Sequence, residues 1–441
     1  MKSSYKKIEN DRNRLNARFN SAKNSSFNPI RNWTITVLLV IFTGFHSFGQ
    51  RLDDYLKLAA ENNPGLKGSY KEFEAALQKA AQIRSLPDPT LSFGYFISPV
   101  ETRVGPQRAR LSLNQMFPWF GTLKYYGTGS EAMAEAKFQA FTDAKNKLYF
   151  KVISAFYPLY ELNKFIEIEE QNIEILKNYK TLATSQFSNG NGAMVDVLRV
   201  DIMLKDAETN LGILEKQRSP LVTRFNNLLN REEEEPVEVA NELEEVMVQE
   251  NYRRDSLLEN NPTLQEFDFK IMASQANEMT AASQGKPKIG VGLDYVIIGK
   301  REDMMVDDNG KNALMPMVSM SLPIFSGKYQ AAKKEAKLMQ EAYQYQKEEF
   351  ENELLSSYEQ LDFQVSKQQD LIRLYEAQIK QTQQSLDLLY TAYSNSGKSF
   401  EDVLQMQQQL LKYQKLKVSA ETALKINIAE IDYITAKTLD Q

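Results

Sequence analysis

From Leu91 to Ser98 apolar and small or polar residues alternate: Leu91, Phe93, Tyr95 and Ile97 fall on one face, Ser92, Gly94, Phe96 and Ser98 on the other. A second run sets Ala109, Leu111, Leu113 and Phe117 against Arg108, Arg110, Ser112 and Asn114. A third sets Ile289, Val291, Leu293, Tyr295 and Ile297 against Gly290, Gly292 and Asp294, with Val296 and Ile298 breaking the polar face. A fourth sets Leu314, Pro316, Val318, Met320 and Leu322 against Met317, Ser319 and Ser321. Period-two alternation of this length predicts four strands. A longer rhythm follows each pair. From Phe350 the apolar positions run Leu354, Tyr358, Leu361, Val365, Ile372, Tyr375, Ile379, Leu386, Leu389 and Tyr393, in steps of three and four or their sum. That is a coiled-coil seam. Val403, Met406, Leu410, Tyr413, Ala420, Leu424, Ile431 and Ile434 form its partner. A helix of about 65 residues is roughly 100 Å long, far more than a compact domain needs.

The pattern is written twice. Glu61-Asn62-Asn63-Pro64-Gly65-Leu66 returns as Glu259-Asn260-Asn261-Pro262-Thr263-Leu264. Phe187-Ser188-Asn189-Gly190 and Asp196-Val197-Leu198 return as Tyr393-Ser394-Asn395-Ser396 and Asp402-Val403-Leu404. The matches keep their order, which predicts an internal duplication. The expected organisation is a first repeat over 50–230, an acidic linker over 231–258 and a second repeat over 259–441. Each repeat reads helix, strand, strand, long helix, turn, long helix. In the first, strands are expected near 89–98 and 107–117 and long helices near 125–187 and 193–230. In the second, strands are expected near 287–299 and 313–323 and long helices near 327–393 and 399–437. The loops between strands would cover Pro99 to Gln107 and Lys300 to Asn312.

Alternation alone suits either a half-buried soluble sheet or barrel strands that are apolar to lipid and polar to a lumen. Four strands cannot close a barrel, and open edges cannot sit in lipid. Membrane strands would therefore require several chains to share one barrel, and three chains would supply twelve strands, an even number. Phe117, Trp119 and Phe120 in QMFPWFGTLK, with Phe325 in the paler copy SLPIFSGK, would then form an aromatic girdle at the membrane's inner edge. Pro118 would end strand pairing there, and Gly121 and Gly327 would free the backbone where strand becomes helix.

Composition narrows the chemistry. The first 49 residues hold eight bases (Lys2, Lys6, Lys7, Arg12, Arg14, Arg18, Lys23, Arg31) and two acids (Glu9, Asp11), then the apolar run WTITVLLVIFTGF. A signal peptide over 1–49 is the expectation, against an uncleaved anchor; the run is short for a membrane helix. Its removal takes +6 from a chain of formal charge −5, leaving about −11. Acids and bases are interleaved there, so no basic stripe suggests nucleic acid. There is no Cys, and the one His, His46, lies in the leader. Ser-His-Asp triads, Cys nucleophiles and Cys/His zinc sites are thereby excluded from the remainder. No carboxylate spacing suggests an enzyme, and no cofactor is implied. Met304, Met305, Met315, Met317 and Met320 cluster near the fourth strand. Thioethers could hold Cu(I), but lipid-facing or gap-filling Met is the simpler account.

Taken together, the duplication, the strand pair in each half, QMFPWFG and LPIFSG at the strand-to-helix junctions, and FSNGNGAMVDVL and YSNSGKSFEDVL at the helical turns resemble the TolC-like outer-membrane efflux proteins. The resemblance implies a mainly α fold with a small membrane β-part: a trimeric 12-stranded β-barrel continued by a periplasmic α-helical barrel. It implies a passive exit duct in the outer membrane of a Gram-negative-type bacterium. The partners would be two further copies of the chain, outer-membrane lipid, a periplasmic adaptor and an inner-membrane pump of RND or ABC type. It places Tyr393 and Lys398 in the network that closes the periplasmic tip, and Asp402 on an aspartate ring. Gln405 stands where some members carry a second aspartate, so Glu401 is a substitute source of charge. Asp196 is the first-repeat counterpart of Asp402. An acid such as Asp402 in the first turn of a helix also simply suits the helix dipole. The other reading of the chain is a soluble periplasmic coiled-coil adaptor or scaffold. It turns on whether the faces 91–97 and 109–117 meet lipid.

Overall fold

The computed structural model describes residues 52–239, 254–396 and 400–436. The expected signal peptide lies outside the described residues, as does most of the acidic stretch after Pro236. Helices α1 (Leu52–Asn62) and α2 (Pro64–Ile83) lead into strands β1 (Thr90–Thr102) and β2 (Gly105–Phe117). The long hairpin of α3 (Thr122–Ser188) and α4 (Met194–Leu229) follows. Helix α5 (Arg254–Glu259) falls in the stretch expected as linker, and α6 (Pro262–Gln284), β3 (Lys288–Ile298), β4 (Ala313–Ser321), α7 (Gly327–Ser396) and α8 (Phe400–Ile434) follow in the second repeat. The fold is mainly helical, with the duplicated order helix, strand, strand, long hairpin.

The repeated Asn-Pro pair breaks each leading helix and restarts it. Pro64 and Pro262 stand at the first helical turn, where a missing N–H costs nothing. Asn63 Oδ1 accepts from the Leu66 N–H at 3.1 Å. Asn261 Oδ1 accepts from the N–H groups of Thr263 at 2.9 Å and Leu264 at 3.3 Å. The amide ends reach across the repeat: Asn63 Nδ2 donates to the Leu228 carbonyl at 2.9 Å, and Asn261 Nδ2 to the Ile434 carbonyl at 3.1 Å. Each Asn therefore caps one helix and clasps the end of another. Helix α5 gives the second repeat its own short leading helix, with Leu257 fully buried. At six residues, beside an acidic run, it leaves no periodic signal in the sequence.

One apolar core gathers Tyr55, Phe73, Phe141, Phe156, Phe225 and Leu229 around α1, α2, α3 and α4. Tyr55 meets Phe225 edge-on at 5.0 Å between ring centres. A second core, with Leu354, Leu361, Val365, Ile428 and Ile431, zips α7 to α8 along the seam read in the sequence. Pro158 and Pro220 lie within α3 and α4, and both helices continue through them.

The four strands form one antiparallel sheet in the order β1-β2-β3-β4. Register aligns Leu91, Leu113, Leu293 and Pro316 in one row and Phe93, Leu111, Tyr295 and Leu314 in another. The β1–β2 hairpin is longer than the alternation predicts: β1 runs to Thr102 and β2 starts at Gly105, so the loop expected from Pro99 to Gln107 shrinks to Arg103 and Val104. Pairing shifts register between Tyr95 and Val100, and this bulge takes in Pro99 without ending the strand. Gly105 closes the turn at φ 128°, and a Cβ there would lie 1.9 Å from the Gly299 carbonyl oxygen. Only glycine fits that approach.

Candidate functional site

Exposure along β3 is inverted relative to a soluble protein. In β3 the odd-numbered residues from Ile289 to Ile297 are exposed, and Gly290, Gly292, Asp294, Val296 and Ile298 are buried. Ile97 is 92% and Phe93 66% exposed, whereas Asp294 is 0% exposed. Asp294 is covered by its ion pair with Arg110. A Cβ on Gly292 would collide with the Asn114 amide at 2.0 Å, so glycine makes room for a polar side chain on this face. Phe117, Trp119, Phe120 and Phe325 all lie exposed at the helical end of the strands. Trp119 and Phe120 meet edge-on at 5.9 Å. Gly121 adopts φ 84° as the residue capping α3. Met315 and Met317 lie on one sheet face and Met320 on the other, while Met304 and Met305 lie exposed in the β3–β4 loop, so no shared thioether site forms. Among the described residues no group of His, Cys, Asp or Glu is arranged to hold a metal ion.

The far ends of the hairpins meet at an aromatic cluster. After α3 the chain turns through Gly190 at φ 75°, with the Gly190 N–H donating to the Phe187 carbonyl at 3.0 Å. Tyr393 is fully buried and stacks on Phe400 at 4.2 Å. Phe400 meets Tyr179 edge-on at 6.1 Å, and Tyr179 stacks on Tyr390 at 5.5 Å. Val200, Leu204, Val403 and Leu404 complete the packing, so both repeats contribute to one tip. Burial pushes the Tyr393 phenol up, and the nearby Asp196 carboxylate adds to it. The Tyr179 phenol is pushed up to about 12 by burial, then by Tyr390 and Asp387.

The charged candidates separate into three situations. Arg199 Nη1 lies 3.0 Å from Glu401 Oε2 and 3.9 Å from Asp196 Oδ1, tying the first turn of α4 to the first turn of α8. Asp402 is exposed beside them on α8. Lys398 lies outside the described residues. Arg199 itself carries only a weak sequence signal, a base three residues after Asp196. Gln186 adds a second link between the repeats, donating to the Ser394 carbonyl at 3.0 Å.

Further along the shaft, polar residues that no motif marks join α3 to α8. Glu169, 1% exposed, is paired with Lys415. Gln407 Nε2 donates to Asn172 Oδ1 at 3.2 Å. Ser419 Oγ donates to Glu161 Oε1 at 2.5 Å, and Tyr433 Oη to Asp143 Oδ1 at 3.2 Å. Burial raises the Asp143 carboxyl above the usual range.

Residues 254–436 match the family described as outer membrane efflux protein. No curated protein sequence matches the chain. Solved structures do. CusC, solved in a study of folding and transmembrane channel formation, is 16% identical with a TM-score of 0.75, covering 88% of this chain and 92% of its own. The outer membrane protein VceC of Vibrio cholerae is 17% identical with a TM-score of 0.70, covering 87% and 96%. The MtrE outer membrane channel of Neisseria gonorrhoeae, solved in its open state, is 14% identical with a TM-score of 0.69, covering 87% and 88%. The chain is thus built on the fold of these outer-membrane channels, and its residues 254–436 match the outer membrane efflux protein family.

Proposed function

We propose that the protein is an outer-membrane channel, the exit duct of a tripartite efflux or export system. The observation that carries this reading is the inverted sheet. Its exposed face is apolar from Leu91 to Ile297, and its opposite face covers a carboxylate. Water penalises such a face and lipid does not. A soluble adaptor would need a second layer over that face, and no described element covers it. The sheet also has two free edges, β1 and β4. Lipid cannot hold them open, so three chains joining edge to edge supply the closed twelve-stranded barrel. The paired long helices then continue the duct into the periplasm. There it meets a periplasmic adaptor and an inner-membrane pump of the RND or ABC type. No step in this role needs an enzyme.

The tip residues are assigned as the constriction. Three copies of Asp402 would surround one axis and favour cations, while Glu401 and Asp196 are held by Arg199. Tyr393 supports the turn from inside, and Lys398 would offset the carboxylates. Asp402→Asn is expected to lower cation preference, read as a shifted reversal potential in planar bilayers under a salt gradient. An unchanged potential removes Asp402 from the pore. The duct reading itself is tested by the native mass of protein extracted from membrane fractions. A trimer released from the outer membrane only by detergent is expected. A monomer released by buffer alone would end the reading.

A further inference from the structure

The side of the sheet that turns away from the apolar face is sparsely charged. Its regular ladder positions carry one acid, Asp294, and two bases, Arg110 and Lys288. The acid is spent within the wall. Asp294 Oδ2 pairs with Arg110 Nη2, and the Asp294 side chain is 0% exposed. Arg110 lies over it and stays 42% exposed. The pair is therefore an oriented dipole, with its negative end in the wall and its positive end free.

The surroundings leave that positive end room. Arg110 faces Gly94 on β1 and Val296 on β3. At Gly94 nothing lies within 4 Å of the place a Cβ would take. Met317 Sδ, 3.8 Å from Arg110 Nη2, backs the guanidinium with a soft, weakly accepting atom. Two buried atoms are left without partners, Arg110 Nε and Asp294 Oδ1. With Nη2 on Asp294 and Nε buried, the exposed part of the guanidinium leaves Nη1 to take a second oxyanion.

We propose that Arg110 is an anion-binding residue in the lumen of the β-barrel, positioned by Asp294, and that it engages the carboxylate or phosphate groups of passing solutes. This rests on the duct reading, since only a shared barrel turns this sheet face into a lumen. Three chains then present three guanidinium forks around one axis, at the opposite end of the molecule from the acidic tip. A solute bearing an anionic group meets an attractive station there before release, and small cations meet a barrier.

The test uses the full-length channel in planar bilayers, with pyrophosphate as probe. Wild-type current is expected to be blocked by pyrophosphate more strongly from the side of the strand loops than from the helical tip. The variant Arg110→Gln with Asp294→Asn removes both charges together, so no buried carboxylate is left unpaired. Its trimer and open current are expected to persist while block weakens by roughly tenfold or more, the loss of one charge-assisted contact at each fork. The Arg110→Lys variant is expected to block with intermediate strength, because the charge stays and the fork is lost. Undiminished block in the double variant would overturn the site and leave the duct standing. A wild-type protein that gives no channels at all would overturn the duct and the site with it.

Discussion

At the scale of single residues, the most informative positions are the two asparagines of the repeated Glu-Asn-Asn-Pro motif. The repetition is plain in the sequence, and the cap is readable from Asn before Pro. The second bond of each, to Leu228 and to Ile434, is not readable, because it joins residues far apart in the chain. Asn63→Ala and Asn261→Ala are each expected to cost about 1–2 kcal/mol, seen as a lower melting temperature of the detergent-solubilised protein. The two sites lie in separate repeats, so the double variant is expected to show the sum. Tyr179 supports a pH prediction. Its phenol stands at about 12 in the fold against an ordinary value of 10.0. In that window the unfolded chain gives up its proton first, so stability falls as pH rises from 10.0 towards about 12. Tyr179→Phe is expected to flatten this part of the alkaline melting profile. Among the tip candidates, Tyr393, Glu401 and Asp402 come from the family resemblance, and Asp196 from the likeness of the two turns. Arg199 is only weakly marked, because its nearer partner, Glu401, sits on the other repeat.

At the scale of elements, periodicity reports faces well and ends poorly. The seam of α7 and α8 follows its three-four steps, and the strands follow their alternation. Pro99, which reads as a terminator, instead sits in a bulge that lets β1 run on to Thr102. Helix α5 is too short to show a period. The polar layer between α3 and α8 is hidden for another reason: Glu169 and Lys415 look like ordinary charges of a solvated helix until the two repeats are folded together. Glu169 is nearly inaccessible, so its partner is needed. Lys415→Met is expected to destabilise the protein by about 3–5 kcal/mol, since it strands a buried carboxylate. Adding Glu169→Leu is expected to recover most of that loss, because a matched apolar pair needs no compensation. A double variant as unstable as Lys415→Met in thermal melts would show that the layer acts through something other than charge pairing.

At the scale of the whole molecule, the duplicated order of elements and the inverted sheet decide the architecture, and the sequence makes the first of them legible. The strand alternation leaves soluble sheet and membrane sheet open. The structure separates them by leaving the apolar face bare, while along β3 the alternate positions are buried. What no single chain can spell out is the proposed joint between copies, because a pairing of β1 with β4 of a neighbour would use main-chain groups common to every strand. That joint has a consequence in genetics. A chain whose β4 edge cannot pair is still able to offer its intact β1 edge to a normal neighbour. Co-expressed with the normal protein, it would enter mixed trimers and leave each of them with one or two seams open. A proline at an edge N–H of β4 would thus act dominantly, and export would fall much further than the share of altered chains.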